Sequence, residues 1–484
     1  MMNITRITFL IAASIALIFL AGCGGQEQVA PPSSAETAQT TTTTASTLTD
    51  EQIEDIVRRS YQYVALYNVI VKSAMDPNNP AATGWNKCFV DRQLKDHNLK
   101  VIARPNNDTL YISCSLDLRK EAVILDIPAF SSKYASLMTF TYDHYVNVPL
   151  TTRKGDFQKP EKVLFYTERT KGYKGEPVEG IDRIMEVDGD FYGAVFRVMP
   201  HASEPDKFKK ILEEMQSLKL FTLSEYKGGK AIPIDDVVFP GYGQTDADVY
   251  GNNLLEVMQF IFNHLTFDPK DKMDQAVLAA YKPLGVEPGK VYDASNVAKI
   301  DGSRFRNISQ QVQKENFAKL ATGDFSDYAP RILRPKGETD LKAIVLVSVV
   351  GPIGLPMEEA SYPAVPTVDG KPMNAQNDYV IRMTKDQLPP AQAFWSLTLY
   401  DTQNGFFIPN DRKKYSVGEN AGMKLNADGG IEIYIAAEKP EGVPEENWLP
   451  INRKDENLDV ILRIYVPDLE AYKNWSVPKA EMVK

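Results

Sequence analysis

Phe394-Trp395-Ser396-Leu397-Thr398-Leu399-Tyr400-Asp401 decides how the last third of this chain folds. Trp395, Leu397 and Leu399 fall on one side, and Phe394, Ser396, Thr398 and Tyr400 on the other. A period of two marks an extended strand, because successive side chains point to opposite faces. The Trp-Leu-Leu side is expected in a core. The same alternation recurs at 460–466, where Val460, Leu462, Ile464 and Val466 point inward and Ile461, Arg463 and Tyr465 outward. At 431–435 it leaves Glu432 and Tyr434 outside. Residues 379–383 form another clear strand, and Asn426-Ala427-Asp428-Gly429-Gly430 supplies a turn. Short strands parted by Gly, Pro and Asn predict a β-sandwich or jelly roll over 341–484.

Upstream, the period is mixed. Leu110, Ile112, Cys114 and Leu116 alternate with polar neighbours, and 122–127, 134–141, 162–167 and 194–198 read as further strands. Residues 203–220 read as a helix with Phe208, Ile211, Leu212 and Met215 on one face; 252–265 and 273–281 are helical too. Thr49 with Gln52 three residues on is a capping-box pattern, opening a helix that carries Ile53, Ile56, Val57, Val64 and Leu66 and stops before Asp76-Pro77. The β-branched run 343–350 favours a strand, although a buried helix has the same apolar look. The expected class is α+β: a β-rich N-terminal module with helices at 47–220, a mainly helical connecting region at 221–340, and the C-terminal module.

The first residues have the layout of a bacterial lipoprotein signal peptide over 1–22. Arg6 precedes an apolar run at 7–21, and Leu20-Ala21-Gly22-Cys23 closes it. Cys23 is the expected lipidation site, its acyl chains (palmitate among them) giving a membrane anchor. Gly24 rather than Asp after it favours the outer membrane of a Gram-negative cell envelope. Residues 23–46, with Pro31-Pro32 and a threonine run, are too poor in large apolar groups to fold and read as a tether. The 484 residues carry a formal charge of −10, which argues against nucleic acid and against adhesion to anionic lipid by charge. Of the remaining cysteines, Cys88 and Cys114 either bridge, as an envelope compartment permits, or leave Cys114 as a buried thiol.

Two segments carry a family resemblance. Arg104-Pro105-Asn106-Asn107-Asp108-Thr109-Leu110-Tyr111, followed by Leu116-Asp117-Leu118, resembles the signature of the bacterial domain of unknown function 1254. The strand at 394–401, with Tyr415-Ser416-Val417-Gly418, Asn426-Ala427-Asp428-Gly429 and Asn447-Trp448-Leu449-Pro450, resembles its usual C-terminal companion, domain of unknown function 1214. The likeness spans roughly residues 60 to 470. It implies an α+β body with two β-rich modules and no agreed reaction. Cys114 departs from it, since the family more often has a small residue there.

Chemistry-bearing motifs are few. The four histidines, His97, His144, His201 and His264, show no metal-ligand spacing, and neither a Gly-x-Ser-x-Gly elbow nor a phosphate loop occurs. No cofactor or metal is expected. Asp143-His144 suits acid–base work only if a partner lies near. Arg104, Asp108 and Tyr111 either shape a tight turn leading into the strand from 109 or converge at the rim of a pocket. Tyr400, Tyr434, Arg463 and Tyr465, opposite the sandwich core, either present rings and a cation to a sugar-like ligand or pack against the first module. Two functions follow: a tethered envelope protein that captures a glycan or another small polar molecule, or a hydrolase or lyase of an envelope or extracellular polymer that uses paired carboxylates as acid and base. Two carboxylates facing each other across a cleft would favour the second.

Overall fold

The computed structural model describes residues 48–79, 81–100, 103–295, 300–321 and 327–483; the signal segment, Cys23 and the tether lie outside them. Within the N-terminal module, alternation does what the sequence predicts. Leu110, Ile112, Cys114 and Leu116 all turn into one core from strand β2 (Leu110–Asp117). β2 belongs to an antiparallel sheet in the order β1 (Lys87–Val90), β2, β8 (Phe191–Val198), β4 (Ala135–Phe140), β5 (Asn147–Thr151). Facing it is a second sheet, β7 (Arg183–Glu186), β6 (Glu161–Tyr166), β3 (Val123–Ile127), β9 (Lys219–Thr222). Val123, Leu125, Val163, Phe165 and Phe196 fill the space between, and helix α2 (Pro205–Gln216) covers it with Ile211 and Met215. The helix expected over 203–220 stops short: residues from Lys219 leave it to pair with β3, an edge pairing that local helical periodicity does not reveal. Cys88 and Cys114 stand opposite each other on β1 and β2 and are joined by a disulfide, so Cys114 is not a free thiol.

A helical body fills the centre. Helix α1 (Asp50–Met75) starts at Thr49 with both bonds of the capping box and is buried along most of its length. It packs on α4 (Asp246–Asn252), α5 (Leu254–Asn263), α6 (Lys272–Tyr281), α7 (Gly302–Ala321) and α8 (Leu341–Val350), while the short α3 (Leu223–Tyr226) follows β9. α1, which the sequence places at the start of the N-terminal module, is thus the axis of this helical body. The 343–350 run is helix rather than strand. Asp340 caps it by accepting from the Ala343 N–H, Gly351 follows it, and burial on nearly all sides removes the amphipathic signal that would have identified it.

The C-terminal module is a two-sheet sandwich, and the chain as a whole is α+β as expected. One sheet runs β10 (Ala360–Ser361), β17 (Asn457–Pro467), β13 (Ala391–Asp401), β14 (Ser416–Gly418), with β11 (Met373–Asn374) also on β17. The other runs β16 (Trp448–Pro450), β15 (Ile431–Ala436), β12 (Tyr379–Met383), β18 (Ala480–Met482), and α9 (Leu469–Asn474) lies between β17 and β18 in sequence. Trp395, Leu397, Leu399, Val460, Leu462 and Ile464 meet Ile381, Ile431, Ile433 and Ile435 in its core. Val466 is the exception to the predicted inward set. Its φ of +50°, rare for a β-branched residue, ends the alternation and sends the side chain to the helical core instead. Among the described residues no helix is long and apolar enough to cross a membrane.

Candidate functional site

The polar face of β13 and β17 does not meet solvent. It meets the Asn106–Asp108 turn, and the two modules join there. A residue before proline favours an extended conformation, yet Arg104 sits at φ +50°, its N–H donating to the Gly405 carbonyl (2.6 Å) and its guanidinium paired with Asp459. Gly405 allows this approach: a Cβ there would lie 3.0 Å from that of Ala103. Inside the turn, Asn106 Oδ1 accepts from the Asp108 N–H (2.6 Å), while its Nδ2 donates to the hydroxyls of Tyr111 (3.0 Å) and Tyr465 (2.8 Å). Ser396 donates to Asp108 Oδ2 at 2.6 Å. Arg463 Nη2 donates to the Tyr400 hydroxyl (2.7 Å) and to the Arg104 carbonyl (3.1 Å), and Tyr400 in turn donates to the Pro105 carbonyl (2.6 Å). Tyr465 stacks on Phe394 at 4.1 Å.

Six of the seven sequence candidates therefore come together, with Asp108, Tyr400, Arg463 and Tyr465 buried and Arg104 and Tyr111 partly so. They form a joint between modules, and no open aromatic groove exists at this face. Burial pushes the Asp108 carboxyl up against the opposing pull of Arg463. Tyr434 stands apart. Its strand, β15, belongs to the other sheet, and its hydroxyl donates to Glu432 at 3.0 Å. Alternation fixed its side correctly but could not give its neighbours.

A different cluster lines a cleft of about 640 Å³ where the N-terminal module meets the helical body. The β4–β5 connection carries Asp143, His144 and Tyr145. His144, at φ +62°, turns away and bonds Ser348 Oγ and the Pro352 carbonyl, both at 2.7 Å. Burial lowers its pKa to about 4, so it stays neutral and serves as an anchor rather than a proton carrier. Asp143 and Tyr145 instead line the cleft. Lys336, on the connection into α8, reaches between them. Its Nζ lies 2.9 Å from Asp274 Oδ2 on α6, 3.2 Å from Asp188 Oδ2 between β7 and β8, and 3.9 Å from Asp143 Oδ2. It also sits 5.3 Å over the Tyr145 ring.

Asp143 Oδ1 accepts from the Tyr145 N–H at 3.2 Å. Asp143 Oδ2, Asp274 Oδ1 and the Tyr145 hydroxyl are buried and make no hydrogen bond within the chain. Burial raises the Asp143 pKa, helped by Asp188 and Asp274 and opposed by Lys336. For Lys336, burial works to lower the pKa, but the three carboxylates outweigh it and hold the ammonium above its ordinary value. Of the three carboxyls around this ammonium, Asp143 is buried and lies farthest from it, which makes it the one that burial most readily keeps protonated. Only Asp143 of this set was visible in the sequence, as half of Asp143-His144. Asp188, Asp274 and Lys336 come from separate connections and obey no spacing.

With this geometry in hand, relatives can be placed. Residues 85–220 match the family described as Protein of unknown function (DUF1254), and residues 358–469 match Protein of unknown function (DUF1214). The chain belongs to the DUF1254–DUF1214 family. Its DUF1254 module supplies the Asn106–Asp108 turn, and its DUF1214 module supplies the strands that receive it. The cleft draws Asp143 and Asp188 from DUF1254 but Lys336 from the helical region between the two matches, where Asp274 also pairs with it. The fold is similar to the crystal structure of the VPA0106 protein from Vibrio parahaemolyticus, with 23% identity and a TM-score of 0.69 over 90% of this chain and 100% of that one. A putative uncharacterized protein from Burkholderia cenocepacia aligns over 90% of this chain and 94% of its own, at 15% identity and a TM-score of 0.40. A comparison with curated proteins gives no match.

Chemically, the cleft of this DUF1254–DUF1214 protein offers charged groups of both signs and one carboxyl, Asp143, whose pKa burial raises. Lys336 lies among Asp143, Asp188 and Asp274, so these three do not face one another across open space.

Proposed function

We propose that the protein is a cell-envelope lipoprotein, anchored through Cys23, that captures a small polar ligand such as a glycan segment in the cleft around Lys336. One observation carries this reading: a ligand-sized cleft of about 640 Å³ is lined by charged and polar side chains, among them Asp143, Tyr145, Asp188 and Lys336. A second reading, proton transfer between Asp143 and the bound ligand, is favoured by the raised pKa of that carboxyl.

A glycan array probed with the detergent-solubilised protein tests the reading. Signals that disappear in Tyr145→Phe or Asp143→Asn, while persisting in Tyr434→Ala, support the cleft. Signals indifferent to all cleft substitutions, or an array without signals, count against it. Mass spectrometry of bound glycans separates capture from turnover, since only proton-transfer chemistry leaves a changed product.

A further inference from the structure

We propose that the joint between the two modules holds a small oxyanion, a carboxylate or a phosphate, between Arg197 and Arg463. The inference is independent of the cleft around Lys336. Alternation along β8 sends Phe196 and Val198 into the core of the N-terminal module and Arg197 to the opposite face. Arg197 is only 5% exposed, yet it forms no ion pair among the described residues. Its neighbours are neutral: the Met138 sulfur lies 3.5 Å from Nη1, and the guanidinium sits 5.4 Å from the centre of the Tyr111 ring, its cross-strand partner on β2.

Arg463, on β17, is the second such cation. It too is 5% exposed and forms no ion pair among the described residues. Its Nη2 donates to neutral oxygens, the Arg104 carbonyl and the Tyr400 hydroxyl. Asp108 acts on it electrostatically, but that carboxyl accepts from Ser396, and burial raises its pKa against the pull of Arg463. Glu359 and Asp459 are committed to Arg153 and Arg104. Two enclosed guanidiniums are thus left with one carboxyl that ionises reluctantly. Buried charge without a counterion is costly, and native structures resolve it by pairing or by a bound ion.

Tyr362 is the second, separate observation. It is partly buried at the edge of both the helical core and the cluster of Tyr400, Phe407, Tyr415 and Ile461. Its hydroxyl has no hydrogen-bond partner among the described residues. Burial pushes that hydroxyl up to about 12, and Arg197 and Arg463 both pull it back, so the two guanidiniums act on this one oxygen. A free hydroxyl beside two guanidinium forks offers donors and positive charge, the complement of an oxyanion. An amine would meet two like charges there, and a neutral sugar would leave both uncompensated. Arg197 belongs to DUF1254, Tyr362 and Arg463 to DUF1214. The bound anion therefore bridges the modules, and its occupancy stabilises their docked arrangement.

Thermal melts of the detergent-solubilised full chain test this, in a dilute zwitterionic buffer with acetate, phosphate or chloride added at matched ionic strength. Acetate, phosphate or both should raise the midpoint saturably, and by more than chloride does. Acetate alone marks a carboxylate as the ligand; phosphate alone marks a phosphate. Arg197→Met should change sign with conditions. It should melt at or above wild type in the dilute buffer, where it removes an uncompensated buried charge, and below wild type in saturating oxyanion. Tyr362→Phe, which decides the matter if Arg197→Met does not fold, should weaken the apparent affinity about three- to ten-fold, and Tyr434→Phe should leave it unchanged. Ion chromatography after heat denaturation reads an anion carried through purification, and one equivalent of a carboxylate or phosphate supports the site even where added salt changes nothing. Neither a saturable gain nor a released oxyanion, a gain matched by chloride, a gain equal in wild type and Tyr362→Phe, or an Arg197→Met deficit of the same size in both buffers overturns it.

Discussion

Truncating Tyr465 to Ala probes whether the β13–β17 face is a joint or a site. The side chain is fully buried, lies flat on Phe394 at 4.1 Å and tilts against Tyr134 at 5.1 Å. Removing a buried aromatic leaves a cavity that costs about 3–5 kcal/mol. Within that cost, the lost ring pairs account for about 0.5–1.5 kcal/mol. The hydroxyl adds less, because Asn106 keeps its bonds to Thr109 and Tyr111 when Tyr465 is gone. Tyr465→Phe, which keeps the ring, should therefore cost only about 1 kcal/mol. Urea denaturation followed by tryptophan fluorescence reads both values, with the urea sensitivity of the transition unchanged. A loss below about 1 kcal/mol for Tyr465→Ala would refute the joint, and reduced ligand capture at full stability would restore this face as a site.

Protonation of Asp143 predicts a slope of stability with pH. Its folded pKa, raised by burial and by Asp188 and Asp274 against Lys336, lies at about 8, so the folded state holds a proton that the unfolded chain has released above about pH 4. Stability from this group is complete below that range and is lost as pH rises toward 8; the melting temperature of wild type should therefore fall progressively relative to that of Asp143→Asn from pH 5 to 7 to 9, and parallel curves would refute it. Removal of the Cys88–Cys114 bridge, which spans 26 residues, should cost about 2–4 kcal/mol, read as a lowered melting temperature in Cys88→Ala/Cys114→Ala; an unchanged midpoint would contradict it. Replacing Cys23 with Ser should move the protein from the membrane to the soluble fraction, and persistent detergent-sensitive association would exclude the lipid anchor.

How much was legible follows from which signals are local. Alternation at Trp395-Leu397-Leu399 and at Leu110-Ile112-Cys114 announced the two cores, and the Thr49–Gln52 cap announced α1. The helix at 341–350 was ambiguous because full burial erases the one-sided pattern on which strand and helix are told apart. At the joint, alternation reveals which side a residue faces but not its partners: Tyr400 and Arg463 share a sheet with each other and not with Tyr434. The cleft was nearly invisible. Asp143, Asp188, Asp274 and Lys336 are each unremarkable alone, and only the meeting of two strand connections, a helix and the run into α8 turns them into one electrostatic unit.

The cross-strand disulfide has a bearing on how the modules dock. The covalent ring it closes, from Cys88 to Cys114, contains the whole Asn106–Asp108 turn that the other module receives. Ring closure takes conformational freedom from that turn before the modules meet, so part of the entropic cost of docking is met inside one of them. In a reducing compartment the same turn would arrive looser and the joint would close less firmly. Firm assembly of the two halves is in this way tied to the redox state of the surroundings.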